Sequence, residues 1–231
     1  AGSFTCVLGM NGAGKSTLLR TIAGLQPPLS GHIYMFGRDT ALFSRRELAR
    51  MVGMVLTERQ AFNAQMTMEE LVSLGRIPYT GFMGRLSDTD REIVGNALVR
   101  TGIENMRTRR ISSLSDGERQ KAMIAKTLAQ QPPVVLLDEP TAFLDFESKV
   151  ETFRLLRSLA KDYGKTVVAA THDLGTAFHA ADILWVMRRG MKPVCGSPGE
   201  LAAAGALDVF FKMPGVDFNR EKMSYSISLE K

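Results

Sequence analysis

The sequence predicts an α/β fold, a parallel sheet with a helical sub-lobe inserted into it. Short continuous apolar runs alternate with amphipathic helical segments, as strands covered on both faces require. A glycine-rich stretch joins the first of these runs to the first helix. Between about residue 60 and residue 130 the alternation stops, and three helical segments follow one another.

FTCVL (4–8) is the first strand, and it runs into GMNGAGKST (9–17). In the STLLRTIAGL that follows, Leu18, Leu19, Ile22 and Ala23 share a helical face, and Gly24 suits the position just past the helix end. MTMEELVSLG, DREIVGNALVRTG and ERQKAMIAKTLAQ read as the three helices of the sub-lobe. PVVLLDEP (133–140) is a second buried strand, closed by a turn proline. Val150, Phe153, Leu156, Leu159, Ala160 and Tyr163 mark a long amphipathic helix that Gly164 stops. TVVAATH (166–172) is the third strand, TAFHAA a short helix and ILWVM (183–187) the fourth strand. Beyond about residue 195 the tail reads as a short helix and a weak polar strand. The expectation is one domain over 1–231, with a core of 1–58 and 131–231 and a helical subdomain of 59–130. Its ligands belong at the carboxyl ends of the strands.

A chain of 231 residues, 45% hydrophobic and 23% charged, has the composition of an ordinary globular protein with a buried core. No apolar run approaches the roughly 20 residues that span a bilayer. Cys6 and Cys195 are too few for a disulfide framework and read as reduced residues of a cytosolic protein. The net charge of +5 is modest and its arginine clusters lack interleaved aromatics, so they read as solvated faces and no nucleic-acid partner is expected.

GMNGAGKS satisfies G-x-x-x-x-G-K-[ST] between a strand and a helix, the context in which the P-loop of an NTPase (RecA-like) core works. Gly9, Gly12 and Gly14, with Asn11 and Ala13 between them, let backbone N–H groups wrap a phosphate, and Thr17 continues the cradle into the helix. Lys15 reaches the β- and γ-phosphates and the Ser16 hydroxyl holds Mg²⁺. Asp138, at the end of a buried strand, completes the Mg²⁺ shell, and Glu139 polarises an attacking water. His172 ends the next strand and offers an imidazole N–H to the γ-phosphate or to that water. LSDGE (Leu114, Ser115, Asp116, Gly117, Glu118) starts a helix and is a second anion site, since the first N–H groups of a helix are unpaired and electropositive.

GMNGAGKST, LSDGERQ, VVLLDEPTAFLD and ATHD, in this order and at these distances, resemble the nucleotide-binding subunit of an ATP-binding cassette (ABC) protein over essentially the whole chain. The resemblance implies an ATPase that uses ATP and Mg²⁺, in which two subunits face head to tail. Each ATP then lies between one P-loop and the other subunit's signature stretch. LSDGE resembles the family's LSGGQ, so Ser115 and the Gly117 backbone would contact the γ-phosphate across the interface, and Asp145 would communicate between the two sites. Asp116 and Glu118 depart from the family's Gly and Gln, and two carboxylates near a phosphate are unwelcome unless they point away or meet nearby Arg119 and Lys121. Thr57 falls where the family carries a Mg²⁺-contacting Gln, with Glu58 and Gln60 as neighbouring candidates to substitute.

Family members also have a β-region ahead of the P-loop strand, with an aromatic that stacks on adenine. Phe4 already belongs to the P-loop strand, so that region is expected to be missing, ATP binding weak and the adenine pocket open.

LVSLGRIPYTGFMGRLSDTDREIVGNAL resembles the sub-lobe of importers for iron–siderophore, haem or cobalamin, which often carry GR-x-P-[HY]. This implies a homodimer, transmembrane permease subunits, an indirect substrate-binding protein and a location on the cytoplasmic face of the membrane. The alternatives are a soluble ABC ATPase acting in metal-cluster assembly or on ribosomes, a P-loop small-molecule kinase, and a regulatory cassette that binds ATP without turnover. A kinase has no use for LSDGE.

Overall fold

The structure is a computed structural model that describes residues 2–56, 63–81, 83–208, 216–219 and 224–227. Strand β1 (Phe4–Gly9) leads into helix α1 (Lys15–Ile22), followed by a small hairpin, β2 (Tyr34–Met35) and β3 (Arg38–Asp39). Helix α2 (Arg45–Met51) passes directly into β4 (Val52–Val55). Helices α3 (Met68–Ser73), α4 (Asp88–Arg100) and α5 (Asp116–Ala129) come next, then β5 (Val134–Asp138), α6 (Phe146–Lys161), β6 (Thr166–Thr171), α7 (Leu174–Ala180), β7 (Ile183–Met187) and β8 (Val194–Gly196). Helix α8 (Pro198–Ala203) and a second hairpin, β9 (Val216–Asn219) with β10 (Ser224–Ile227), close the described chain.

The main sheet has the order β4-β5-β6-β1-β7-β8. Its first five strands are parallel, and β8 pairs antiparallel with β7 at the edge. Alternation along each strand divides the core between the two faces of the sheet. Phe4, Cys6 and Leu8 of β1 join Val135, Leu137, Val167 and Ala169 under α6, whose Phe153, Leu156, Leu159 and Ala160 are buried against them. Val7, Leu136, Val168 and Ala170 point to the other face, where Leu19 of α1 covers them. Each such side chain, fully buried, contributes about 1.5–3 kcal/mol of transfer free energy. Burial pushes the Cys6 thiol up to about 12, so it behaves as a small hydrophobe.

The β2–β3 hairpin, strand β4, helix α2 and strand β8 are absent from the sequence expectation. Strand β4 is short and interrupted by Gly53, which hides its apolar character. A Cβ at Gly53 would stand 2.5 Å from Thr127 of α5 and 2.8 Å from Pro132, so the glycine lets α5 rest directly on the sheet. Helix α2 is a charged RRELARM segment with no buried residue; its start is set by a capping box, in which the Ser44 hydroxyl accepts from the Glu47 N–H and Glu47 accepts from the Ser44 N–H. Strand β8 is exposed and pairs with β7 alone. Helices α3 and α4 pack on one flank of α5 while its last turns touch β4, so α5 belongs as much to the core as to the helices before it.

Candidate functional site

Strands β5, β6 and β1 are neighbours, and their register brings their carboxyl ends level: Leu8 of β1 lies opposite Thr171 of β6, and Ala170 opposite Asp138 of β5. The loops leaving these three ends carry the P-loop, the Asp138–Glu139 pair and His172. Gly9 begins the turn because nothing larger fits. A Cβ there would lie 2.8 Å from the Met187 carbonyl oxygen of β7. Gly14 caps α1 at φ 95°, a left-handed conformation that favours glycine. Around the turn Ala13 N–H donates to the Met10 carbonyl at 3.1 Å, so Asn11 and Gly12 form its tip.

Lys15 is only 6% exposed. Its Nζ donates to the Gly9 carbonyl at 2.8 Å and lies 3.3 Å from Glu139 Oε1. Beside it the Ser16 hydroxyl donates to Asp138 Oδ1 at 2.9 Å. Glu139 has φ 46°, uncommon for a residue with a side chain, and is fixed there by three bonds. Its N–H donates to the Ala170 carbonyl at 2.9 Å, and Oε2 receives both the His172 N–H at 3.3 Å and His172 Nδ1 at 2.8 Å. Lys15, Glu139 and His172 thus form one chain of contacts, and the Ser16–Asp138 pair adjoins it through the neighbouring backbone. A hydroxyl and a carboxylate side by side are hard oxygen donors of the kind Mg²⁺ takes together with phosphate oxygens and water. No group of three or more His, Cys, Asp or Glu with metal-holding geometry occurs among the described residues.

LSDGE starts α5. Ser115 is its N-cap and makes a complete capping box, the hydroxyl accepting from Glu118 N–H at 3.2 Å and Glu118 Oε2 accepting from Ser115 N–H at 2.8 Å. Glu118 Oε1 meets Arg109 at 2.9 Å. The Ser115 bond and the arginine together hold the Glu118 carboxyl below its usual range. The partner of Glu118 is therefore Arg109, not the nearby cations the sequence suggested. Lys121 pairs with Glu151 at 2.7 Å, and Arg119 donates to the Ile111 carbonyl at 3.5 Å. Asp116 is the first residue of the helix, where the macrodipole favours a carboxylate.

A Cβ at Gly117 would stand 2.9 Å from Ser148 Oγ. Ser148 N–H in turn donates to Asp145 Oδ1 at 2.8 Å, and this bond holds the Asp145 carboxyl below its usual range. Asp145 is thus the cap of α6 and sits beside the start of α5. Thr57, with Glu58 and Gln60, lies outside the described residues.

A family model described as ABC transporter matches residues 1–142. The chain belongs to the ABC transporter family. It is 37% identical over 207 residues to the ferric enterobactin transport ATP-binding protein FepC of Escherichia coli (strain K12), a match spanning 90% of this chain and 76% of that protein. It is 39% identical over 201 residues to the petrobactin import ATP-binding protein FpuC of Bacillus anthracis, spanning 87% and 74%. Among solved structures it is similar to a dimeric bacterial ABC transporter cassette, with a TM-score of 0.72, 29% identity and 85% of each chain covered. The chain is thus an ATP-binding ABC ATPase, built on an α/β P-loop NTPase fold whose sheet is mostly parallel.

The capping box was legible as S-x-x-E in LSDGE, and it explains why Glu118 can stand where a glutamine is usual: both reach back to the cap N–H. Arg109 and Ser148 carried no local signal, because they meet the signature only through the fold.

Proposed function

We propose that this chain is the ATP-hydrolysing subunit of an importer for a ferric siderophore or a related metal chelate such as haem or cobalamin, working as a pair of identical chains. The observation that carries the reading is the division of the phosphate-binding groups. Ser16 with Asp138, and Lys15 with Glu139 and His172, meet where β1, β5 and β6 end, whereas Ser115 and Gly117 start a different helix, in which Glu118 bonds Arg109 and Gly117 lies against Ser148 of α6. A second copy, placed head to tail, would bring its Ser115 to the first copy's P-loop.

The roles follow from the bonds. The P-loop amides of residues 9–17 bind the phosphates, and Lys15 turns from Glu139 toward them. Ser16 and Asp138 hold Mg²⁺, which when bound neutralises charge on the phosphate oxygens. Glu139, fixed by Ala170 and His172, orients the attacking water and accepts its proton. His172 keeps Nδ1 on Glu139 and turns Nε2 toward the γ-phosphate, to which it donates when both ring nitrogens carry protons. The Ser115 oxygen accepts from Glu118 N–H, and its hydroxyl hydrogen is the one offered to the γ-phosphate across the interface. Asp145, through Ser148 and Gly117, ties α6 to the signature, so a shift at one site is felt at the other.

Exposed apolar side chains beside these motifs support a second copy as their cover. Met10 is 61% exposed, Phe143 78% and Phe146 83%. Residues 59–130 are assigned as the sub-lobe that receives the permease. A groove of about 600 Å³ there, lined by Thr67, Glu70, Ser73, Leu86, Arg91 and Val94, suits a short permease helix. No described helix is long and apolar enough to cross a membrane, so the permease supplies the crossing and the substrate-binding protein acts through it. The names of FepC and FpuC support a siderophore as cargo.

The test is the variant Glu139→Gln with ATP and Mg²⁺. Light scattering should show a stable dimer that ADP does not support, and reconstitution with the permease should stimulate wild-type hydrolysis. A monomer under both nucleotides would reject the reading.

A further inference from the structure

The stretch GRIPY (75–79) follows α3 and makes a joint whose bonds the ATP site does not use. A Cβ at Gly75 would lie 2.2 Å from the Lys126 carbonyl oxygen and 3.0 Å from Gln130 N, so the turn presses against the backbone of the last turn of α5. Arg76 is 4% exposed. Its Nη1 donates to the Ala129 carbonyl at 2.8 Å and to Gln131 Oε1 at 3.1 Å, and its Nε to Asp90 Oδ1 at 2.8 Å. Asp90 belongs to the first turn of α4 and also accepts from the Ser87 hydroxyl. One guanidinium therefore ties the start of α4 to the end of α5, and a carbonyl at a helix C-terminus is where a cation is favoured.

The Tyr79 ring lies under Arg76, 4.0 Å from the guanidinium carbon, with Arg50 4.9 Å from the same ring. The Tyr79 hydroxyl donates to the Gln130 carbonyl at 3.0 Å. From α2, Arg46 and Arg50 donate to the Pro78 carbonyl at 2.8 and 3.1 Å. Gln130 Nε2 donates to the Ala49 carbonyl and, at 2.8 Å, to that of Val52. The joint thus binds α2, β4, α4 and the C-terminal end of α5 together.

The opposite end of α5 is Ser115 and Gly117, and the few residues after Gln131 lead into β5 and Asp138. We propose that Arg76, with Tyr79, is a positioning residue for ATP hydrolysis: it fixes the far end of α5 so that its N-terminus meets the second copy's ATP at the right height and angle. The proposal rests on the shared-site reading above. Among the described residues no hydrogen bond or ion pair joins the joint to Lys15, Ser16, Asp138, Glu139 or His172, so ATP binding by one chain should be independent of it, whereas closure of the pair is not. A small error in the seat of α5 is carried along a rigid helix of 14 residues to the signature, and misplacement of about 1 Å can cost on the order of 10²-fold in rate.

Three variants of the purified protein test this: Arg76→Lys, which keeps the charge but not the fork; Tyr79→Phe, which removes only the hydroxyl; and Ser115→Ala. Nucleotide affinity at low protein concentration, steady-state hydrolysis and thermal unfolding are read for each. The expected result is that Arg76→Lys and Tyr79→Phe stay folded, bind ATP within about twofold of wild type, and lose kcat by about tenfold and a few fold respectively. In the Glu139→Gln background, Arg76→Lys should weaken ATP-driven dimerisation in step. Unchanged kcat in both joint variants overturns the proposal, as does a loss of ATP affinity that parallels a fall in Tm, since that is mere destabilisation. Should Arg76→Lys fail to fold, the Tyr79→Phe result decides alone. Ser115→Ala separates the two claims. If it is inactive while the joint variants are normal, only the positioning idea fails; if it hydrolyses normally, the shared site fails with it.

Discussion

Glu139 is held from several sides. Its left-handed backbone, the Ala170 bond and the pair of bonds to His172 hold one carboxylate oxygen on the imidazole and the other on Lys15. Such strain persists only where surrounding bonds over-determine it. Glu139→Gln preserves shape and removes the proposed base, so ATP should still bind while phosphate release slows about 10²–10⁴-fold. Gly9 fails for a different reason. In Gly9→Ala the new methyl meets a β7 carbonyl rather than a flexible side chain, and the strained backbone should cost about 1–3 kcal/mol and displace the cradle. Calorimetric ATP titration with thermal unfolding checks both losses. The motif residues were legible because they fall at strand ends or helix starts in a fixed local pattern. Left-handed Glu139 was not, because nothing local in LDEP requires it.

Helix starts show what capping does for this fold. Ser44–Glu47, Thr67–Glu70, Ser87–Asp90, Ser115–Glu118 and Ser197–Glu200 all form complete boxes among the described residues. Their carboxyls accept backbone N–H groups and are held below their ordinary values, Asp90 falling to about 2 through Ser87 and Arg76. The sign is that of a depressed acid: its stabilisation is complete above the ordinary carboxylate range and is lost as pH falls through the folded value. Unfolding temperature should therefore hold through neutral pH and drop below about pH 4, most steeply toward about 2, as the boxes open together. Glu118→Gln should leave stability within about 0.5 kcal/mol because the amide still reaches the cap, whereas Glu118→Ala should cost about 1 kcal/mol in chemical denaturation. Helix α2 and strand β4 escaped sequence reading for related reasons. One is a polar helix held by its cap and by arginine bonds to Pro78, and the other is a strand whose glycine exists for α5.

Across the whole molecule, a sheet that buries both faces leaves its carboxyl edge as the place where polar loops converge, and three neighbouring strands deliver the nucleotide cluster there. Helical periodicity marked α3, α4 and α5, but α5 is shared: it packs against α3 and α4, its last turns rest on β4, and its first residues are LSDGE. Only the folded chain reveals that GRIPY grips the end of this lever. With the signature on one lever and the P-loop on another, hydrolysis should rise more steeply than linearly with protein concentration until dimers form. Mixing wild type with excess Ser115→Ala should depress the activity of wild-type P-loops in trans.

The most direct measurement is the structure of the Glu139→Gln protein with ATP and Mg²⁺. The account predicts two copies head to tail, with the Ser115 hydroxyl of each within hydrogen-bond distance of the γ-phosphate held by the other's Lys15. A single copy holding ATP with residues 114–118 facing bulk solvent, in a sample that dimerises no further, would contradict it.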